Sequence, residues 1–151
     1  KKADLTNMLN GTLAGLVGIT AGADLMSPIE AIIIGGIAGV IVVFSAELFE
    51  RYKIDDPVGA VSVHLVCGIW GTLAVGIFGS MAGGQQVIYQ LVGIISVGAF
   101  VTLFSFVILK LIDKSLGLRV SEHDELIGLD HSEHQEKSYS YSSDHIKKPT
   151  I

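Results

Sequence analysis

DDPVGAVSVHLVCGIWGTLAVGIFG runs from Asp55 to Gly79, and from Pro57 onward it holds no Lys, Arg, Asp or Glu. A helix crosses about 30 Å of hydrocarbon with roughly 20 apolar residues, so this stretch is long enough to span a bilayer. One side chain in it resists that solvent: the imidazole of His64. The rest of the chain must supply both a membrane setting for the segment and a reason for the histidine.

Composition supplies the setting. Of the 151 residues 50% are hydrophobic and 17% charged, against about 25% charged in soluble domains. The 18 glycines would weaken helices in water, whereas in a bilayer they let helix backbones approach closely. Net charge is −5, but the acidic residues gather toward the C-terminus, so the value describes a tail, and nothing in it suggests nucleic acid. A single cysteine, Cys67, excludes a disulfide framework. KKADLTNMLNG lacks a signal-peptide pattern and an initial Met, so the chain reads as starting within a longer protein.

Four apolar segments succeed one another, at about 5–25, 28–49, 57–79 and 87–112, the second containing AIIIGGIAGVIVVF. The connectors ADLMSP, ERYKIDDP and SMAGGQQ are short and carry turn chemistry, which implies antiparallel neighbours. The expected fold is therefore an all-α membrane protein with four transmembrane helices within 5–113. The basic residues test this independently. Lys1 and Lys2 precede the first segment, Arg51 and Lys53 separate the second from the third, and Lys110, Lys114 and Arg119 close the fourth. If the segments alternate, all fall on one side, and the positive-inside rule makes both ends of the chain cytoplasmic. A soluble bundle has no reason to sort its lysines this way.

The remainder, 114–151, is expected to be a cytoplasmic tail. Ser121 and Asp124 have capping-box spacing and Gly128 stands where a short helix would stop, which predicts a helix over 122–127. After about Tyr141 the composition favours disorder.

Asp55 and Asp56 favour a helix start, with Asp56 as N-cap and Pro57 in the first turn. Counted from Pro57, His64 lies roughly 10 Å into the helix. Uniform α-helical spacing puts Pro57, Ala60, Val61, His64, Cys67, Gly68 and Gly71 on one face. Two readings of His64 follow: a hydrogen bond to a neighbouring helix for packing, or a place beside a narrow lumen. Ionisable groups are expensive in a membrane and by default mark a pathway, which favours the second. A neutral imidazole offers one donor and one acceptor to a small polar molecule without adding net charge.

Other polar residues suggest less. Glu30 and Glu47 read as solvated carboxylates at the ends of the second segment, and Asp24 sits in a connector. His123, His131, His134 and His145 are irregularly spaced among carboxylates and read as a solvated tail, so no metal and no cofactor are expected. Gly35, Gly36 and Gly39 lie inside an apolar segment and fit helix packing, not a phosphate loop. No nucleophile–base arrangement can be assembled, so no enzyme is expected.

These residues also carry a resemblance. DDPVGAVSVHLVCGIWGTLAVGIFG resembles the signature helix of the ammonium transporter (Amt/Mep/Rh) family, NGTLAGLVGITAGADLMSPIEAIIIGGIAGVIVVF the two helices before it, and GLRVSEHDELIGLDHSEH its cytoplasmic tail. The resemblance covers about Asn7 to Tyr141. It implies an eleven-helix homotrimer with one pore per subunit, of which these four segments are the last four helices. It implies that His64 is one of a hydrogen-bonded histidine pair, the other lying in the first half, and that Ala60 lines the pore one turn away. Ammonium would be recruited outside, lose its proton, and pass the pair as ammonia. A PII-type signalling protein would dock on the cytoplasmic face, with the tail around Ser121, Asp124 and Gly128 as the coupling element. Two residues depart from the family's pattern: Leu65 and Gln135 stand where glycine is usual. The rival expectations are an ammonium-sensing regulatory membrane protein and a non-conducting fragment.

Overall fold

The computed structural model describes residues 5–134, and these contain helices and turns with no strand. In chain order they are α1 (Leu5–Thr20), α2 (Pro28–Arg51), a π-helical turn (Ala60–Val66) continuing into α3 (Cys67–Ile77), α4 (Gly84–Ser115), α5 (Glu122–Ile127) and α6 (Leu129–Ser132). The chain forms two compact units, with the division between Val101 and Thr102. Lys1, Lys2, Gln135, His145 and the stretch beyond Tyr141 lie outside the described residues.

Three helices are long and apolar enough to cross a membrane: Pro28–Arg51, the composite Ala60–Ile77, and Gly84–Ser115. The expected first span, 5–25, is shorter. Its α-helix has 16 residues and ends at Thr20, which is roughly 24 Å of rise. The chain then tightens, with Gly22 N–H donating to Ile19 O at 3.1 Å and Leu25 N–H to Gly22 O at 2.9 Å. The last span is longer than 87–112. Gly84, Gln85 and Gln86 extend it at one end and Asp113 to Ser115 at the other, giving 32 residues.

In the first unit α1, α2 and the π-turn with α3 pack on one another. Their shared core is Ala14, Ala38, Val42, Val63 and Cys67, with Val17, Ile41 and Trp70 packed around it. Lipid tails are as apolar as leucine, so close packing and interhelical hydrogen bonds hold such a core together. The small residues set the spacing. A Cβ added to Gly71 would sit 2.9 Å from the carbonyl carbon of Gly18, so α1 and α3 meet backbone to backbone. Trp70 Nε1–H donates to Ile34 O at 3.1 Å, using the second lone pair of a helical carbonyl.

Glu30 belongs to this architecture. Ser27 and Glu30 form a reciprocal capping box at the start of α2, with Ser27 N–H donating to Glu30 Oε2 at 2.8 Å. The other oxygen, Oε1, accepts from Gly79 N–H at 2.9 Å. Glu30 therefore ties the start of α2 to the end of α3, which corrects its reading as a merely solvated carboxylate. By contrast α4 buries none of its residues within the chain.

In the second unit α5 occupies Glu122–Ile127, the range that the Ser121 and Asp124 spacing predicts, and it packs on α6.

Candidate functional site

The regular helix carrying His64 begins at Ala60, not at Pro57. Pro57 and Val58 lie in a turn, and Gly59 follows in the left-handed region, φ +70°, where L side chains are disfavoured. A Cβ at Gly59 would also meet Asn10 Nδ2 at 2.8 Å. His64 thus lies roughly 6 Å below the helix start.

The start is π-helical over Ala60–Val66. At its mouth Val63 N–H donates to Gly59 O at 2.8 Å, and the amides before it have no intrahelical carbonyl to meet. Asp56 meets them from outside. Its Oδ1 accepts from Val61 N–H at 2.9 Å, and its Oδ2 from Ser62 N–H at 2.9 Å and Ser62 Oγ–H at 2.8 Å. Burial alone would raise the Asp56 carboxyl, but these bonds outweigh it and hold the group below its ordinary value. Asp55, beside it, is exposed. Both carboxylates line an open polar cavity of about 500 Å³ together with Thr6, Asn10, Glu47 and Glu50.

At the far end of the turn the Cys67 Sγ lies 3.5 Å from both Ser62 O and Ala38 O, which share its one proton. The Cys67 N–H turns instead to His64 O. The thiol so links the Ser62 carbonyl of the π-turn to α2.

The π-turn changes which residues share a face. Uniform spacing groups Pro57, Ala60, Val61, His64, Cys67, Gly68 and Gly71, and the structure divides that group. Ser62, Val63, Cys67 and Gly71 are buried against α1 and α2, whereas Ala60 and His64 are exposed. Leu65 is 55% exposed on the same side, so its bulk beyond glycine is not taken up by packing on α1 and α2. On a helix long and apolar enough to cross a membrane, an open imidazole would be costly to leave in lipid.

The tail residues stand together in the second unit. Ser121 Oγ accepts from Asp124 N–H at 3.2 Å and donates to the Asp124 carboxylate, and Gly128, φ +94°, donates its N–H to Asp124 O at 2.9 Å. Arg119 grips Glu125 at 2.7 Å, and that bond keeps its guanidinium above its usual value. The pair is largely exposed, so it adds little stability. Among the described residues no group of three or more His, Cys, Asp or Glu is arranged to hold a metal.

Residues 1–139 match the model of the Ammonium Transporter Family. The chain belongs to that family. An ammonium transporter of Methanocaldococcus jannaschii is 39% identical to it over 141 residues, which are 90% of this chain and 34% of the relative. One from Archaeoglobus fulgidus is 34% identical over 143 residues, 88% of this chain and 37% of the relative. A Synechocystis protein reaches 45% over 136 residues, 89% of this chain and 30% of its own length. The chain thus spans about a third of the length of the ammonium transporters and related proteins it matches. With three helices apolar enough to cross a bilayer, this member of the ammonium transporter family is a membrane protein.

Ser62, Cys67, Trp70 and Glu30 were not singled out as contributors to this geometry from sequence. Only Glu30 left a legible trace, since Ser27-Pro28-Ile29-Glu30 is a capping-box pattern before an apolar run.

Proposed function

We propose that the complete protein carries ammonium or ammonia across the cell membrane, and that this chain is its C-terminal portion. His64 and Ala60 line the path. The observation that carries this reading is their exposure on the side of the π-turn facing away from α1 and α2, inside a segment apolar enough to span. Neutral imidazole can accept from and donate to a small polar solute without placing a fixed charge in a hydrophobic passage. A second histidine from the first half of the protein would complete the pair and satisfy the nitrogen that His64 does not commit to the solute.

The same reading makes both ends of the chain cytoplasmic, on the strength of Arg51, Lys53, Lys110, Lys114 and Arg119. It also makes the assembly a homotrimer in which lipid and neighbouring subunits cover the surface of α4. A PII-type protein would dock beneath it, near the tail.

His64→Ala in the full-length protein is expected to change methylammonium flux while the trimer stays intact. His64→Glu retains a proton-accepting group and adds negative charge, and is expected to increase cation current. Unchanged flux with lost assembly after His64→Ala would make the histidine a packing residue and overturn the pathway reading.

A further inference from the structure

We infer that Asp56 is a positioning residue for His64: its carboxylate holds Ala60–Val66 in the π-helical register, and that register turns the imidazole toward the path. The inference rests on the reading of His64 as a pathway residue, and adds what sets its direction.

π-helical turns are rare, bond less favourably than α-helices, and persist where their surroundings determine them. Here three surroundings do so. Asp56 accepts three hydrogen bonds at the mouth of the turn. Gly59 supplies a left-handed link, closed by its own N–H donating to Asp56 O at 3.1 Å, so the carboxylate folds back over the turn. Cys67 clasps the other end through Ser62 O and Ala38 O. A thiol is a weak donor and Gly59 only permits the shape, so the carboxylate is the strongest of the three.

The alternative state is specific. Relaxing one π-turn to α-helix removes the equivalent of one residue, which rotates everything before it by about 100° relative to α3. Cys67, Gly71 and Ala74 are fixed against α1 and α2, so the rotation falls on Ala60 and His64. Both would leave their present side of the helix. Asp56 itself spends its oxygens on Val61 and Ser62, so it acts through the backbone and not on the solute.

The test uses the full-length protein in proteoliposomes. Asp56→Asn is nearly isosteric, but its amide nitrogen cannot accept from Ser62. A His64→Cys reporter measures direction by its rate of modification with a water-soluble methanethiosulfonate, with buried Cys67 as the background control. Asp56→Asn is expected to slow that labelling about tenfold, and in the His64 protein to lower maximal methylammonium uptake by about tenfold with little change in KM. Asp56→Glu, which keeps the charge, is expected to recover part of both. Should Asp56→Asn not assemble, Ser62→Ala removes one of the three bonds and is expected to shift labelling in the same direction by a smaller factor.

Unchanged labelling in the assembled Asp56 and Ser62 variants overturns the inference, whatever the flux does. Altered labelling in a protein whose flux is indifferent to His64→Ala upholds the positioning role and instead sinks the pathway reading.

Discussion

The carboxylate of Asp56 lies at the mouth of a helix whose first amides have no carbonyl of their own to meet. Because its bonds to Val61 and Ser62 hold it below the ordinary carboxylate range, its stabilisation of the turn is fully present above the unfolded value of about 3.9. That stabilisation is lost as pH falls through the lower folded value. Amide-exchange protection at Val61 and Ser62 is therefore expected to stay level from neutral pH down to about 4, and to drop only in stronger acid. A step near neutral pH would instead show that Asp56 is not what stabilises the turn. The half-buried Trp70 indole, by contrast, answers to Ile34 O and has no charge to lose.

Helices α1 and α3 touch where both are glycine. Gly71→Ala would drive its new Cβ into the Gly18 carbonyl, which is backbone and has no rotamer through which to yield. Overpacking of this kind costs about 1–3 kcal/mol, so the variant is expected to melt earlier in detergent, while Gly36→Ala, whose Cβ meets open space, melts as the parent does. Equal melting of the two would show that α1 can move aside. At this scale the sequence was legible in its broad lines and silent in its turns. Apolar runs and charge gaps disclosed the long helices, and Ser121 with Asp124 disclosed α5. The expected start at Pro57 failed because Gly59 turns left-handed before the helix begins, although glycine there is itself a signal of a turn. The grouping of Ala60 and His64 with Cys67 failed for a deeper reason. Periodicity arguments assume a uniform 3.6 residues per turn, and no side chain in AVSVHLV announces a π-turn. What selects that turn is contact with Asp56 and with α2, which a single-segment reading does not contain. Glu30 is similar, since its partner Gly79 is 49 residues away.

For the whole molecule, the two units set separate questions. In the second unit the short helices after α4 are set by the Ser121 cap and the Gly128 turn. Under the proposed function, truncating the full-length protein after Gly117 is expected to leave an inserted trimer that transports less and no longer answers to a PII-type partner. Flux assays with and without that partner check this, and wild-type rates with undiminished inhibition would reduce the tail to a passive extension. The first unit carries a different implication, one that concerns time more than space. The carboxylate of Glu30 is shared between Ser27, which is its neighbour in the chain, and Gly79. During synthesis the near bond can form as soon as α2 has left the ribosome, at about 5–20 residues per second, whereas the far one must wait several seconds for the rest of the loop. For that interval α2 has a finished beginning and an unclaimed carboxylate oxygen. That oxygen gains its partner only once the end of α3 is in place.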